Sequence, residues 1–177
     1  PIRTARRLLQ DGHILAIKGL GGFHLACDAG NEDAVRRLRA RKRRVEKPFA
    51  IMAYDEKAVA RLCQLAAGEV QLLTSPRRPI VLLARREGSP VVEVVAPRNS
   101  RLGVMLPYTP LHHLLLAPGP DITFPALVMT SGNLSEEPIA IDNAEARSRL
   151  DELADFFLLH DRPIGLRCDD SVTQVFE

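Results

Sequence analysis

RRLRARKRRVEKPFAIMA (Arg36–Ala53) runs from a basic helical segment straight into an apolar strand signal. Eight of the chain's 24 lysines and arginines lie between Arg36 and Lys47, beside a single carboxylate, Glu46. The remainder of the chain holds 16 basic against 21 acidic residues, so the formal net charge of +2 conceals one cationic patch on a mildly acidic body. Charge runs usually mark a solvated helix face. Here the run sits at a helix-to-strand junction, where the fold can hold it in place and focus its potential on an anion.

Outward from this junction, helical and strand signals alternate. Upstream, Thr4–Gln10 has helical spacing, HILAIKGL reads as a buried strand, and Asn31 caps a helix with Glu32 and Asp33 in its first turn. Downstream, 55–65 and 68–73 read as helices and IVLLA as a strand; VVEVVAP is expected at a sheet edge, and RLGVMLP ends at Pro107. Thr109-Pro110 opens a short helix. ALVMT delivers the polar turn SGNLSEEP; a helix is expected from Asp142 to about Ala154, then strands at FFLLH and DDSVTQVF. This order predicts a three-layer α/β fold with a mixed sheet, residues 1–177 forming one domain without linker or repeat.

Composition narrows the function classes. A hydrophobic fraction of 46% without low-complexity tracts is that of a globular chain. No apolar run approaches the roughly 20 residues of a membrane span. PIRTARRLLQDG reads as a helix rather than a secretory leader, and a first residue other than Met suggests a piece of a longer chain. Cys27, Cys63 and Cys168 are odd in number and far apart, which points to a reducing, cytoplasmic setting and to three small core residues rather than to a metal or disulfides. Trp is absent and no aromatic lies between Arg36 and Lys47, so stacking of single-stranded nucleic acid has no platform there.

Three features carry chemistry. TSGN (Thr130–Asn133) leaves a buried strand where α/β sheets collect ligands; it is either an Asx-type turn or a nucleotide site offering two hydroxyls and a carboxamide. RPIGLRCDD offers Arg167 as a phosphate ligand, or as a surface ion pair with Asp169 or Asp170. Strand alternation would turn Cys168 toward the core and Arg167 toward a cleft. In GLGGFHLACD the glycines suggest a tight turn or a close approach of backbone to ligand, and His24 is either a core histidine or a site residue. No GxSxG, HExxH, P-loop or CxxC is present, so the chemistry rests on cations and hydrogen-bond donors, as phosphoryl chemistry requires.

Six stretches carry a family resemblance: IKGLGGFHLACDA, RARKRRVEKPFAIM, SPRRPIVLL, RLGVMLPYTPLHHLLL, LVMTSGNLSEEPI and HDRPIGLRCDDSV. In this order they resemble the YrdC-like domain in the form carried by the HypF carbamoyltransferases of NiFe-hydrogenase maturation. Free-standing YrdC proteins, which make threonylcarbamoyl-adenylate for tRNA modification, normally have a Pro-Thr-Glu-type segment where KGLGGFHL stands here. The resemblance implies a YrdC/RibB-like fold, a twisted mixed sheet flanked by helices around a basic concave cleft. It implies formation of carbamoyl-adenylate from ATP, with Mg²⁺, and carbamate derived from carbamoyl phosphate. A further transferase domain of the same chain and a HypE-like acceptor are the implied partners. The family's Lys-x-Arg falls on Lys42 and Arg44, and its Ser-x-Asn on Ser131 and Asn133. With Thr130 and Arg167 these are the expected ATP ligands; Lys42, Arg44 and Arg167 are also the expected catalytic cations, and Lys18, Gly22 and His24 the carbamate pocket. Val45, where many relatives have Pro, and Glu136-Glu137, where Gly is frequent, depart from the pattern. Threonylcarbamoyl-adenylate synthesis, an O-carbamoyltransferase of antibiotic biosynthesis and a double-stranded RNA-binding module remain alternatives, RNA being the further partner of the patch.

Overall fold

The computed structural model describes residues 1–134 and 137–176. An eight-stranded mixed sheet runs through it in the order β7-β1-β2-β6-β3-β5-β4-β8. The strands are β1 (Leu15–Lys18), β2 (Phe23–Asp28), β3 (Ala50–Met52), β4 (Ile80–Ala84), β5 (Arg101–Met105), β6 (Leu127–Ser131), β7 (Phe156–Leu158) and β8 (Val172–Thr173). The central pairs β1–β2, β2–β6 and β3–β6 are antiparallel, whereas β1–β7, β3–β5 and β4–β8 are parallel.

Helices cover both faces, because the central strands are apolar on both sides. Phe23, Leu25 and Cys27 of β2 face a core with Ala34, Val35 and Leu38 of α2 (Glu32–Arg41), Val59 and Leu62 of α3 (Glu56–Leu62), Leu73 of α4 (Ala67–Thr74) and Ala146 of α6 (Asn143–Arg149). Leu15, Ile17 and Ala26 point the other way, onto Leu9 of α1 (Ile2–Gln10) and Leu115 and Leu116 of α5 (Pro110–Leu116). The three-layer α/β expectation is met. So are the caps: Asn31 accepts from the Ala34 amide and Thr109 from the His112 amide.

Three elements differ from the sequence reading. VVEVVAP is a single 3-10 turn at Glu93–Val95, not an edge strand. Val91 and Val95 are buried beside α2, so the turn satisfies their burial without strand pairing. The helix after Asp142 stops at Arg149, and Leu150, Leu153 and Ala154 enter the core from turns. The last strand keeps only Val172 and Thr173, paired with Ile80 and Val81. Among the cysteines, Cys27 and Cys63 are buried as expected, and burial pushes the Cys63 thiol up to about 12. Cys168 is exposed, contrary to its expected core position.

Candidate functional site

The basic junction is built by a helix stop that lacks the usual glycine. At the end of α2 the Arg43 amide donates to Ala40 O and the Arg44 amide to Arg39 O, the paired bonds of a Schellman motif. Arg43 takes the left-handed conformation, with φ 51°. The reversal separates its neighbours. Lys42 turns inward and is almost fully buried, while Arg44 stays half-buried at the mouth of a cleft.

Buried Arg39 anchors the loop that follows. Its guanidinium donates to the carbonyls of Val94, Val95, Arg44, Val45 and Lys47. Arg39 and Arg44 both pack on the Phe49 ring, at 4.7 and 4.9 Å from its centroid. Arg44 closes the turn by donating to Lys47 O and Pro48 O, and its Nη1 lies 3.4 Å from Thr130 Oγ1. The patch is therefore only partly a solvated face: its central arginines are fixed by backbone carbonyls.

Lys42 reaches beneath the turn that follows β6. Its Nζ donates to Ser131 O at 2.7 Å and Asn133 O at 2.6 Å, with Asn133 Oδ1 at 3.3 Å. Burial, with Arg44 and Lys47 nearby, pulls Lys42 from 10.5 to about 8. Within the turn, Ser131 Oγ donates to Asn133 Oδ1 and Asn133 Nδ2 to Glu137 O. The carboxamide thus works inside the turn, as an Asx-type structure would have it. Glu136, one of the two departures from the family pattern, lies outside the described residues.

Close backbone approach joins this turn to the glycine turn. The Gly132 amide donates to Phe23 O at 2.7 Å, and a Cβ on Gly132 would sit 2.7 Å from Phe23 Cβ. The Phe23 amide donates to Ala140 O, and a Cβ on Gly22 would fall 2.3 Å from Ile139 Cγ2. Only glycine allows these contacts at the observed spacing.

Between these elements lies a cleft of about 480 Å³. Its polar end is lined by Gly22, His24, Arg44, Thr130, Ser131 and Asp170, and its apolar floor by Phe49, Ile80, Leu82, Gly103 and Met129. His24 lies opposite Ser131 across the β2–β6 ladder. Its Nε2 is 3.1 Å from Asp170 Oδ2, and Tyr108 OH donates to Asp170 Oδ1 at 3.3 Å. Burial acts to raise the Asp170 carboxyl, but these bonds and the nearby imidazoles hold it below the usual carboxylate range. Behind them His112 packs edge-on against Tyr108, ring centroids 4.6 Å apart. Burial pulls His112 down to about 3, so it is a neutral packing group at neutral pH.

The expected site residues thus divide. Arg44, Thr130, Ser131, Gly22 and His24 line the cleft; Lys42 and Asn133 stand behind its wall. Lys18 is buried, donates to His160 O, and lines a separate cavity of about 280 Å³ on the other side of the glycine turn. The three residues expected to form the carbamate pocket therefore do not share one cavity. Arg167 is exposed at the rim with Nε on Ile139 O, and its neighbour Cys168 lines the cleft, the reverse of the expected alternation. The backbone there is irregular, with the Cys168 amide donating to Gly21 O and the strand ladder starting only at Val172, so the period-two rule does not apply. Sequence reasoning missed Tyr108, and it placed Asp170 beside Arg167 when it bonds His24. Tyr108 precedes the Thr109 cap, the one local signal that its position is fixed.

Residues 7–177 match the family model for Sua5/YciO/YrdC, described as telomere recombination. The carbamoyltransferase HypF of Rhodobacter capsulatus is 55% identical over 174 residues, which cover 98% of this chain and 23% of that protein. The chain thus spans about a quarter of that relative's length. The crystal structure of full-length HypF in its phosphate- and nucleotide-bound form superposes with a TM-score of 0.92 at 49% identity, over 98% of this chain and 27% of that one. Sua5 of P. abyssi, crystallised with L-threonine, shares the fold at a TM-score of 0.83 and 17% identity, over 99% of this chain and 51% of that one.

Proposed function

The chain belongs to the Sua5/YciO/YrdC family, and from that membership we propose that it is the adenylate-forming domain of a longer HypF-type carbamoyltransferase. The substrates are ATP and carbamate released from carbamoyl phosphate. A carbamate oxygen forms a bond to the α-phosphorus; the bond from that phosphorus to the α,β-bridging oxygen breaks, and pyrophosphate leaves with the electron pair. The products are carbamoyl-adenylate and pyrophosphate. A further domain then passes the carbamoyl group to a HypE-like acceptor for hydrogenase maturation.

The observation that carries this reading is the convergence of Arg44, Thr130 and Ser131 on one cleft with an apolar floor. Arg44 offers a planar guanidinium to phosphate oxygens, and the floor takes the base. Lys42 acts through the wall, keeping the Ser131–Asn133 carbonyls turned away from the ligand. Arg167, exposed beside the cleft with Nε on Ile139 O, is assigned in this reading to the departing pyrophosphate. No group of three metal-ligating side chains is present among the described residues. In this reading Mg²⁺ enters with the ATP substrate, bound by phosphate oxygens and water.

The test is exchange of radiolabelled pyrophosphate into ATP. The reading expects exchange that depends on carbamate. Exchange requiring threonine and bicarbonate would assign the domain to threonylcarbamoyl-adenylate synthesis. Absence of exchange with tight binding of double-stranded RNA would make the patch an RNA-binding surface.

A further inference from the structure

We infer that Asp170 selects the amino end of the small substrate, its carboxylate accepting hydrogen bonds from the NH₂ group of carbamate. The inference rests on the adenylation reading above and deepens it.

Carbamate has two unlike ends. Its oxygens need donors and cations, whereas its NH₂ presents N–H donors that need an acceptor. The polar end of the cleft offers both kinds of partner. Arg44, Thr130 and Ser131 supply a cation and hydroxyls. Asp169 and Asp170 are the carboxylates lining it, and Asp170 is the one held on both oxygens, by His24 and Tyr108. Each of those oxygens retains acceptor capacity after one bond. A fixed carboxylate repels a triphosphate at close range, so its natural partner in a nucleotide cleft is a donor. Its supports hold it still: His24 is tied into β2 opposite Ser131, and Tyr108 is wedged against His112. With a carboxylate as partner, His24 Nε2 is the donor, so the imidazole does not compete for the substrate's N–H. A site built this way disfavours an isostere that lacks the N–H donors, because a methyl group then faces the part-exposed carboxylate and displaces its water without replacing the hydrogen bond.

Acetate is that isostere, with CH₃ in place of NH₂ at the same charge and size. The experiment measures pyrophosphate exchange with carbamate, formed in alkaline ammonium bicarbonate, with sodium bicarbonate alone, and with acetate. The wild-type protein is expected to prefer carbamate over acetate by about 10- to 100-fold in kcat/KM, the range for a hydrogen bond to a charged group. Asp170→Asn keeps the side-chain size. It should lower kcat/KM for carbamate about 10- to 100-fold, the range for a hydrogen bond to a charged group, leave acetate unchanged and leave ATP affinity within about twofold. Tyr108→Phe frees one carboxylate oxygen and should give a smaller loss of the same kind. A wild-type protein that uses acetate or bicarbonate as well as carbamate overturns the assignment, whatever the variants do. Equal losses on carbamate and acetate in Asp170→Asn, or weakened ATP binding, overturn it too and place Asp170 on the nucleotide. Absence of carbamate-dependent exchange in the wild type, by contrast, removes the adenylation reading itself and the inference with it.

Discussion

The ammonium of Lys42 lies 2.7 Å from the carbonyl oxygen of Ser131, beneath the turn and not in the cleft that the turn borders. Two sequence motifs 89 residues apart therefore form one structural unit. Its charge is held in a buried site at a lowered pKa of about 8. An anion binding across the wall would favour the charged form and draw a proton in. Titrating ATP near pH 8 in buffers of different ionisation enthalpy should reveal proton uptake, absent in Lys42→Met. Identical heats in wild type and variant would show that Lys42 does not sense the ligand.

The same lysine predicts a pH dependence of stability. Between about 8 and its ordinary value of 10.5, the unfolded chain holds the proton that the folded chain has released. Stability from this group therefore rises with pH through that window. Below it, both states are protonated and the burial penalty is fully present. Urea unfolding of wild type minus Lys42→Met should show this rise; a flat or falling difference contradicts it.

Arg43 occupies a left-handed position that glycine would take more cheaply. Its side chain is exposed. Arg43→Gly is expected to stabilise the apo protein by about 1 kcal/mol, roughly 2–4 °C in Tm for a chain of this size. ATP affinity should be unchanged, since the flanking Schellman bonds keep Lys42 and Arg44 in place. A drop in affinity would show that Arg43 itself meets the nucleotide.

Arg44 and Arg167 are expected to fail differently. Arg44→Ala should weaken ATP binding by about 1–3 kcal/mol, the scale of a charge-assisted contact. Arg167→Ala should reduce carbamate-dependent exchange on the order of 10²-fold while ATP affinity falls much less, if its role is met in the transition state. Nucleotide titration and exchange kinetics on the same preparations separate the two. Equal losses in both assays for Arg167→Ala would make it a plain binding residue, and no loss would leave it as the clamp on Ile139 O.

Gly22 tests the packing between the glycine turn and the segment after the Ser131 turn. An added Cβ would lie 2.3 Å from Ile139 Cγ2, and Ile139 is buried. Gly22→Ala should destabilise by about 1–3 kcal/mol through overpacking. Ile139→Ala removes the obstructing methyl, so the double variant should lose less than the sum of the single losses. Strict additivity would mean that the turn relaxes by another route.

Local chemistry made much of the architecture legible. The caps at Asn31, Thr109 and Asp142 sit where their side chains accept from the helix amides. The strands at IVLLA, RLGVM and ALVMT declare themselves by apolar runs between breakers. Where a segment could bury its apolar residues in more than one way, the period failed: Val91 and Val95 fill the core from a 3-10 turn, not from a strand.

Sequence by itself determined which residues were chemically available: a concentrated cationic junction, a hydroxyl-rich turn after a buried strand, and glycines where backbones must touch. Tertiary structure decided which of them face one another. The left-handed Arg43 sends Lys42 under the wall and Arg44 to the cleft. The β2–β6 register sets His24 opposite Ser131, and the irregular chain before Val172, held by the Cys168 amide on Gly21 O, brings Asp170, not Arg167, to His24. Such pairings join residues up to 146 positions apart. Their side-chain directions depend on sheet register and backbone reversals, which neither helical nor strand periodicity encodes.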